Sequence, residues 1–331
     1  MLTRAEIGSL IRCELPEDKI RQTLLDLSLA ALNQELIADF IDCIRQTCAF
    51  NPGFPIDCLD CSGTGGSGLP HFNTSTVAAF VLAAGGVKVA KFGNRASSGA
   101  GGSFDLLSDA GIQPHLDFEV ALDMLDRLGL VFLFAPQYYP GLAQLAPIRK
   151  SLKTPTIFNA IGPLLHPYRP AKRVMGVADT RVQELVAQYL AQSDLDACEQ
   201  SVDACERSVD AIVVRSQSGL DEFDPKDESH YIRIIDGQLQ RSSVQPSVEC
   251  PTGVQPTCAV ENFACFQELL EGKASPYITQ LVSLNAGAGF VVWGVVDTIE
   301  SGAAYAAELI ESGAVREKFE DCRRAYAGIP G

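Results

Sequence analysis

The feature that most constrains this chain is a run of glycines between two kinds of periodicity. Gly63-Thr64-Gly65-Gly66-Ser67-Gly68 follows a short apolar run at 56–61 and precedes a helical stretch from about 74 to 84. Gly85-Gly86 closes that stretch, and 87–91 reads as a second strand. A strand, a glycine loop, a helix and a second strand in this order form a β-loop-α-β unit, so a parallel sheet is expected. Glycines at such a turn let main-chain N–H groups close on an anion, and the helix start adds its own free donors. The run also fits G-x-G-x-x-G, but a dinucleotide site wants an acidic residue about 20 positions further on. Here the second strand ends in Lys88-Val89-Ala90-Lys91. That basic end leaves room only for an NADP-type site among nicotinamide dehydrogenases.

The rest of the chain supplies the partners of such a unit. Residues 3–50 carry apolar positions at helical spacing, with a capping-box pattern at Thr3 and Glu6. Further strands are expected at 131–134, 173–177 and 211–214. Helices are expected at 105–127, 140–153, 181–192, 261–271, 276–290 and 297–325, and an irregular loop at 156–163. Residues 196–202 (DACEQSV) are copied at 203–209 (DACERSV), a short duplication that lengthens one helix end or loop; two copies are too few for a repeat fold.

Charge and cysteine content remove several classes of function. With 26 Lys and Arg against 41 Asp and Glu, the net charge is −15, which opposes phosphate-backbone binding by clustered cations. No stretch is apolar enough for a membrane span, and 1–15 mixes charge with apolar groups rather than forming a signal-peptide core. The 11 cysteines are spread along a long chain and read as reduced thiols, so a cytoplasmic location is expected. Cys58 and Cys61 form C-x-x-C, but no second pair stands at zinc spacing, so they are read as buried strand thiols rather than a metal or redox site.

Four more segments carry candidate chemistry. Asn73-Thr74-Ser75-Thr76 places capping and phosphate-binding side chains at the helix start. Lys91-Phe92-Gly93-Asn94-Arg95, running through a Ser/Gly-rich turn to Ser103, offers cations and amides for a second phosphate. Gly219-Leu220-Asp221-Glu222, past the strand at 211–214, sets two carboxylates where Mg²⁺ is held between protein and substrate phosphates. Arg149, in Ala146-Pro147-Ile148-Arg149, is a lone cation that gains meaning only from the others.

Taken in order, these segments resemble the anthranilate phosphoribosyltransferases. That family shows GTGGD, NxST, KHGNR, APxR, IFNxLGPL and GLDE; here they stand as GTGGS (63–67), NTST (73–76), KFGNR (91–95), APIR (146–149), IFNAIGPL (157–164) and GLDE (219–222). Segments near 269 (LLEGKASPY) and 284 (LNAGAG) extend the likeness over nearly the whole chain. The resemblance implies an α/β fold in which a small all-helical domain, 1–52 and about 115–165, joins a larger α/β domain, about 55–114 and 166–331, with a mainly parallel central sheet. It implies a Mg²⁺-dependent transfer of phosphoribosyl from phosphoribosyl diphosphate to anthranilate or a related aromatic acceptor, in a homodimer. Gly63, Thr64, Gly65, Gly66, Asn73, Ser75, Thr76, Lys91, Asn94 and Ser103 would bind phosphoribosyl diphosphate. Ser75, Asp221 and Glu222 would hold Mg²⁺. Phe92, Asn94, Tyr138, Tyr139 and Arg149 would line the acceptor, with Arg149 facing its carboxylate. No residue is assigned as acid or base; the protein's part is positioning.

The departures fall mainly on the acceptor side. Phe92 stands where the family has His, and Tyr138-Tyr139 where it has His-His. Ser67 replaces the Asp of GTGGD, and Ala100 a common Lys. The aryl amine is already neutral at pH 7, so losing the histidines does not remove a required base, but it does rewrite acceptor recognition. The alternatives left open are a transferase for another aromatic acceptor, a non-catalytic paralogue binding a ligand or nucleic acid, and a pyrimidine nucleoside phosphorylase relative.

Overall fold

The computed structural model describes residues 2–50, 55–65, 67–69, 71–95, 102–200, 208–246 and 259–328. Gly66, Ala100 and the second copy of the duplication up to residue 207 lie outside the described residues. In chain order the elements are α1 (Arg4–Ile11), α2 (Glu17–Asp26), α3 (Gln34–Arg45), β1 (Leu59–Gly63), α4 (Thr74–Ala84), β2 (Val89–Gly93), α5 (Ser103–Asp109), α6 (Phe118–Leu128) and β3 (Leu130–Phe134). There follow α7 (Ala135–Tyr138), α8 (Leu145–Leu152), α9 (Phe158–Ile161), β4 (Lys172–Gly176), α10 (Thr180–Gln200), β5 (Asp210–Ser216), β6 (Ser229–Ile235) and β7 (Gln238–Val244). Last come α11 (Ala259–Leu270), α12 (Pro276–Trp293), α13 (Ile299–Glu311) and α14 (Ala314–Ala327).

The seven strands form one sheet in the order β3-β2-β1-β4-β5-β6-β7. β3 through β5 are mutually parallel, as the crossover pattern requires, and β6 and β7 add an antiparallel hairpin at one edge. That hairpin is absent from the sequence reading. Its strands alternate charged and polar groups on an exposed face, SHYIRII and QLQRSSV, so no continuous apolar run marks them. The chain thus has a helical domain and an α/β domain built on a mainly parallel sheet.

Burial explains which helices are central. α4 and α12 are apolar almost all round, and nearly every residue of both is buried. They pack on each other and on the central strands. α3, by contrast, buries one stripe, Leu36, Ile37, Phe40, Ile41 and Ile44, against the other N-terminal helices. Asn33 caps it by accepting from Leu36 N–H at 2.9 Å. A bridge from Ser28 to Thr156 ties the N-terminal helices to α8 and α9, and α2 packs on α8.

Three expected boundaries shift. The 105–127 helix is two, α5 and α6, split at Gly111 with φ +77°. The 297–325 helix is also two, because Gly313 with φ +82° ends α13 and starts α14. The 156–163 loop contains a helical turn, α9, running into a 3₁₀ turn at Gly162–Leu165. β3 lies in the sheet although it falls within the stretch 115–165 expected in the helical domain.

Candidate active site

The candidate site stands at the carboxyl ends of β1, β2, β4 and β5, where open α/β sheets bind their ligands. Its floor is main chain. Thr64 N–H donates to Gly176 O at 2.8 Å, carrying the β1 loop over the end of β4. Asp221 Oδ2 accepts from Gly65 N–H at 2.8 Å, pinning that loop from the other side. Gly65 takes φ +64°, a conformation open to glycine at little cost. Gly63 and Gly176 are needed for a different reason. A Cβ on Gly176 would overlap the Asp221 carbonyl oxygen, and one on Gly63 would collide with the Asp221 carboxylate. The 219–222 turn therefore sits directly on two strand ends with no room for side chains.

Asp221 and Glu222 are both buried. Glu222 Oε2 has no hydrogen-bond partner among the described residues. Burial raises the Glu222 carboxyl to about 8; the positive field of His71 opposes that and the neighbouring Asp221 adds to it. Burial lowers His71, yet the negative field of Glu222, the Leu69 carbonyl and Asp221 outweigh it, so His71 is held above its ordinary value. Two carboxyl groups on one recess, with one acceptor oxygen unsatisfied among the described residues, are a donor set that suits a hard cation. The small recess here is lined by Ser62, Gly63, Ser75, Asp221, Glu222 and Asn285, among others.

The remaining expected phosphate-side residues fall close by, with one difference. Ser75 is on the first turn of α4, and Lys91 Nζ donates to Ser75 Oγ at 3.1 Å and to Cys61 O at 2.7 Å. Lys91 is 1% exposed, so its ammonium is engaged inside the protein rather than presented at the surface. Asn73 is buried and receives Asn262 Oδ1 on its N–H at 2.8 Å. Thr76 is buried with no partner for its hydroxyl among the described residues. Asn94 is exposed and turns its Oδ1 to Arg95 N–H at 2.8 Å. Ser103 opens α5, whose start is closed by Asp105 accepting from Gly102 N–H at 2.7 Å.

The acceptor-side residues do not form one group. Phe92, Tyr138 and Tyr139 are buried, and Phe92 meets each tyrosine edge to face, with ring centroids 6.5 and 6.3 Å away. Tyr139 Oη donates to Leu165 O at 2.6 Å, and Tyr138 is packed among Phe50, Phe118 and Tyr168. Arg149 stands apart, its guanidinium 4.4 Å over the Phe158 ring. Burial lowers it to about 10, so it remains a cation at neutral pH. It has no carboxylate partner among the described residues.

Three residues that shape the site escaped the sequence reading. Asn285 clamps the turn after Glu222, accepting from Phe223 N–H at 3.0 Å and donating to Phe223 O at 2.9 Å. Asn262 holds the loop into α4 through His71 O at 3.3 Å and Asn73 N–H. Asp60 is fully buried inside β1. Asp60 and Asn285 each stand next to apolar neighbours, Leu59 and Leu284, which was the available signal; Asn262, beside Glu261, carried none. Cys58 and Cys61 are buried free thiols; burial raises both, Cys61 to about 12, so neither is a ready thiolate.

Comparison with known proteins decides the family. The profile of the glycosyl transferase family, a/b domain, matches residues 56–316. The anthranilate phosphoribosyltransferase of Streptococcus mutans is 32% identical over 98% of this chain and 95% of its own. The chain belongs to the anthranilate phosphoribosyltransferase family. It is accordingly an enzyme of the glycosyltransferase class. The anthranilate phosphoribosyltransferase of Thermus thermophilus superposes with a TM-score of 0.82 at 28% identity, covering 99% of this chain and 97% of that one. The enzyme of Saccharomyces cerevisiae, solved with PRPP and Mg, shares the fold at a TM-score of 0.81 and 24% identity, over 98% of this chain and 92% of that one.

Proposed function

We propose that this family member transfers phosphoribosyl from phosphoribosyl diphosphate to anthranilate or a close aromatic amine, releasing diphosphate. The observation that carries the reading is the buried Asp221–Glu222 pair beneath the glycine loop, with Glu222 Oε2 unsatisfied. A hard divalent cation with oxygen donors suits that pair and Ser75. Bound there, Mg²⁺ supplies charge stabilisation for the leaving diphosphate.

The chain's own groups do the rest. The glycine loop 63–66 and the α4 start, with Asn73, Ser75 and Thr76, take the diphosphate end. Asn94 and Ser103 take the sugar and its phosphate, while Lys91, buried and donating to Ser75 Oγ, backs the site from within. The amine lone pair forms the new C–N bond as the anomeric C–O bond breaks. That electron pair leaves with diphosphate, and the ammonium proton passes to solvent. Alignment of amine and anomeric carbon is the main contribution asked of the protein. Arg149, a cation without a carboxylate partner among the described residues, suits the acceptor's carboxylate.

A second acceptor is favoured by one observation. Phe92, Tyr138 and Tyr139 present buried rings and a committed hydroxyl, so an acceptor whose polar groups need partners there loses about 0.5–1.5 kcal/mol per bond. The domain division at about 52, 115 and 165, the homodimer and the cytoplasmic location belong to the same proposal. Free thiols among the described residues support the last. The net charge of −15 opposes nucleic acid as a ligand. The test is diphosphate release from phosphoribosyl diphosphate and Mg²⁺, with and without anthranilate. Stimulation by anthranilate is expected. Binding of phosphoribosyl diphosphate without stimulation points to another aromatic acceptor, and no binding rejects the transferase reading.

A further inference from the structure

β1 and β2 stay packed side by side, but the ladder between them breaks off early. Among the described residues their parallel register holds only at Leu59↔Val89, whereas β1–β4 and β2–β3 run for five pairs each. Two residues further on, a continued parallel ladder would join Cys61 N–H to Ala90 C=O and Phe92 N–H to Cys61 C=O. Side chains take three of these four main-chain groups instead. His166 Nε2 donates to Ala90 O at 2.7 Å. Asp60 Oδ1 accepts from Phe92 N–H at 3.2 Å. Lys91 Nζ donates to Cys61 O at 2.7 Å.

The three side chains are buried. Asp60 Oδ2 also accepts from Ser62 Oγ at 2.7 Å, and Lys91 reaches on to Ser75. Tyr168 N–H donates to His166 Nδ1 at 3.1 Å, which leaves the ring proton on Nε2. Burial lowers His166 to about 4, so it is neutral at working pH. A plain ladder would satisfy the same main-chain groups without burying two charges and an imidazole. Burying charge is costly, so such an arrangement is tolerated where it sets a geometry that a ladder cannot. The carboxyl ends of these two strands carry the glycine loop on one side and Gly93-Asn94-Arg95 on the other.

We propose that Asp60 is a positioning residue for the transfer reaction, and that with Lys91 and His166 it forms a polar wedge fixing the gap between the two substrate loops. This rests on the proposed function, because one loop is taken to hold the diphosphate half of phosphoribosyl diphosphate and the other its sugar half. Asp60 touches neither half, so its effect is on alignment rather than on affinity.

The experiment compares Asp60→Ala and Asp60→Asn with the parent chain. Calorimetry reads phosphoribosyl diphosphate binding with Mg²⁺, and diphosphate release reads kcat per binding site. Asp60→Ala is expected to lower kcat about 100-fold while the Kd moves less than about fivefold, because misalignment costs turnover rather than affinity. Asp60→Asn keeps an acceptor for Phe92 N–H and is expected to recover most of the loss. An unchanged kcat per site in Asp60→Ala overturns the proposal, as does an equal loss in both variants. Should Asp60→Ala fail to fold, Asp60→Asn is read alone by hydrogen exchange at the Phe92 amide. Faster exchange with a few-fold lower kcat supports the wedge, since a neutral acceptor is weaker than a carboxylate; no change in either overturns it. Absence of phosphoribosyl diphosphate binding by the parent chain would instead reject the proposed function, and the Phe92 exchange would still test the wedge.

Discussion

The two sides of the cleft are built from different material. The diphosphate side is main chain: strand ends, a glycine loop and a turn seated on Gly63 and Gly176 with no space between. The acceptor side is side chain: the Phe92 ring set against those of Tyr138 and Tyr139, with Tyr139 anchored on Leu165 O. A main-chain site admits few substitutions, since any Cβ enters the ligand's or the turn's space. A side-chain site can be rewritten as a set, one ring packing against the next at little cost if volume is kept. This accounts for where the chain departs most from its family's pattern: three positions in one aromatic cluster, against Ser67 and Ala100 on the phosphate side.

The sharpest way to break this comparison is Gly176→Ala. The added methyl must displace the Asp221 carbonyl, and with it the Gly65 N–H bond to Asp221 Oδ2. The expected loss is about 2–4 kcal/mol in stability and about 100-fold or more in diphosphate release. Denaturant melts and a turnover assay read the two separately. An alanine variant with parental melting and turnover would show that the turn is not seated as described.

Glu222→Gln comes next and tests the charge at the same place. Glu222 sits at about 8 in the folded chain against 4.5 ordinarily. The folded state therefore binds this proton more tightly than the unfolded one. Stability from this group is full below about 4.5 and is lost as pH rises to about 8. His71, also raised, contributes with the same sign. Metal-free protein should thus lose stability from pH 5 to pH 8.5, and Mg²⁺ should restore it at the alkaline end. Glu222→Gln should flatten that slope, remove the Mg²⁺ effect and lower diphosphate release about 100-fold. Thermal melts across pH, with and without Mg²⁺, check this, and a parental slope in the variant would count against it.

The same contrast governs what could be read from sequence. The glycine loop, the α4 start and the parallel strands β1–β5 were legible because each carries a local signal: glycine runs, capping side chains, short apolar runs. The Asp221–Glu222 pair was legible only through its place after a strand. The β6–β7 hairpin was not, since strands with one exposed polar face lack an apolar run. Asp60, Asn262 and Asn285 were missed because their role depends on main-chain groups far along the chain, Phe92, Asn73 and Phe223. Nor does sequence disclose that Lys91 turns inward, or that Tyr138 and Tyr139 are buried rather than lining an open path.

The smallest expected effect belongs to the aromatic side and sharpens the comparison by its size. Tyr139→Phe removes one hydroxyl and leaves the ring, so packing against Phe92 is kept. What is lost is the bond to Leu165 O, 26 residues along the chain at the start of the link to β4. Removing the donor leaves that carbonyl buried and short of a partner, which costs about 1–3 kcal/mol at most. Burial holds the Tyr139 phenol far above its ordinary value, so it stays protonated and supplies no charge to the reaction. Melting should therefore fall modestly while kcat and the KM for phosphoribosyl diphosphate remain within about twofold, because a hydroxyl spent on the main chain makes no bond that differs between ground and transition states. A loss of kcat larger than the loss of stability would mean that the Tyr139 hydroxyl leaves Leu165 for the substrate during turnover, and the aromatic side would then be chemical rather than structural.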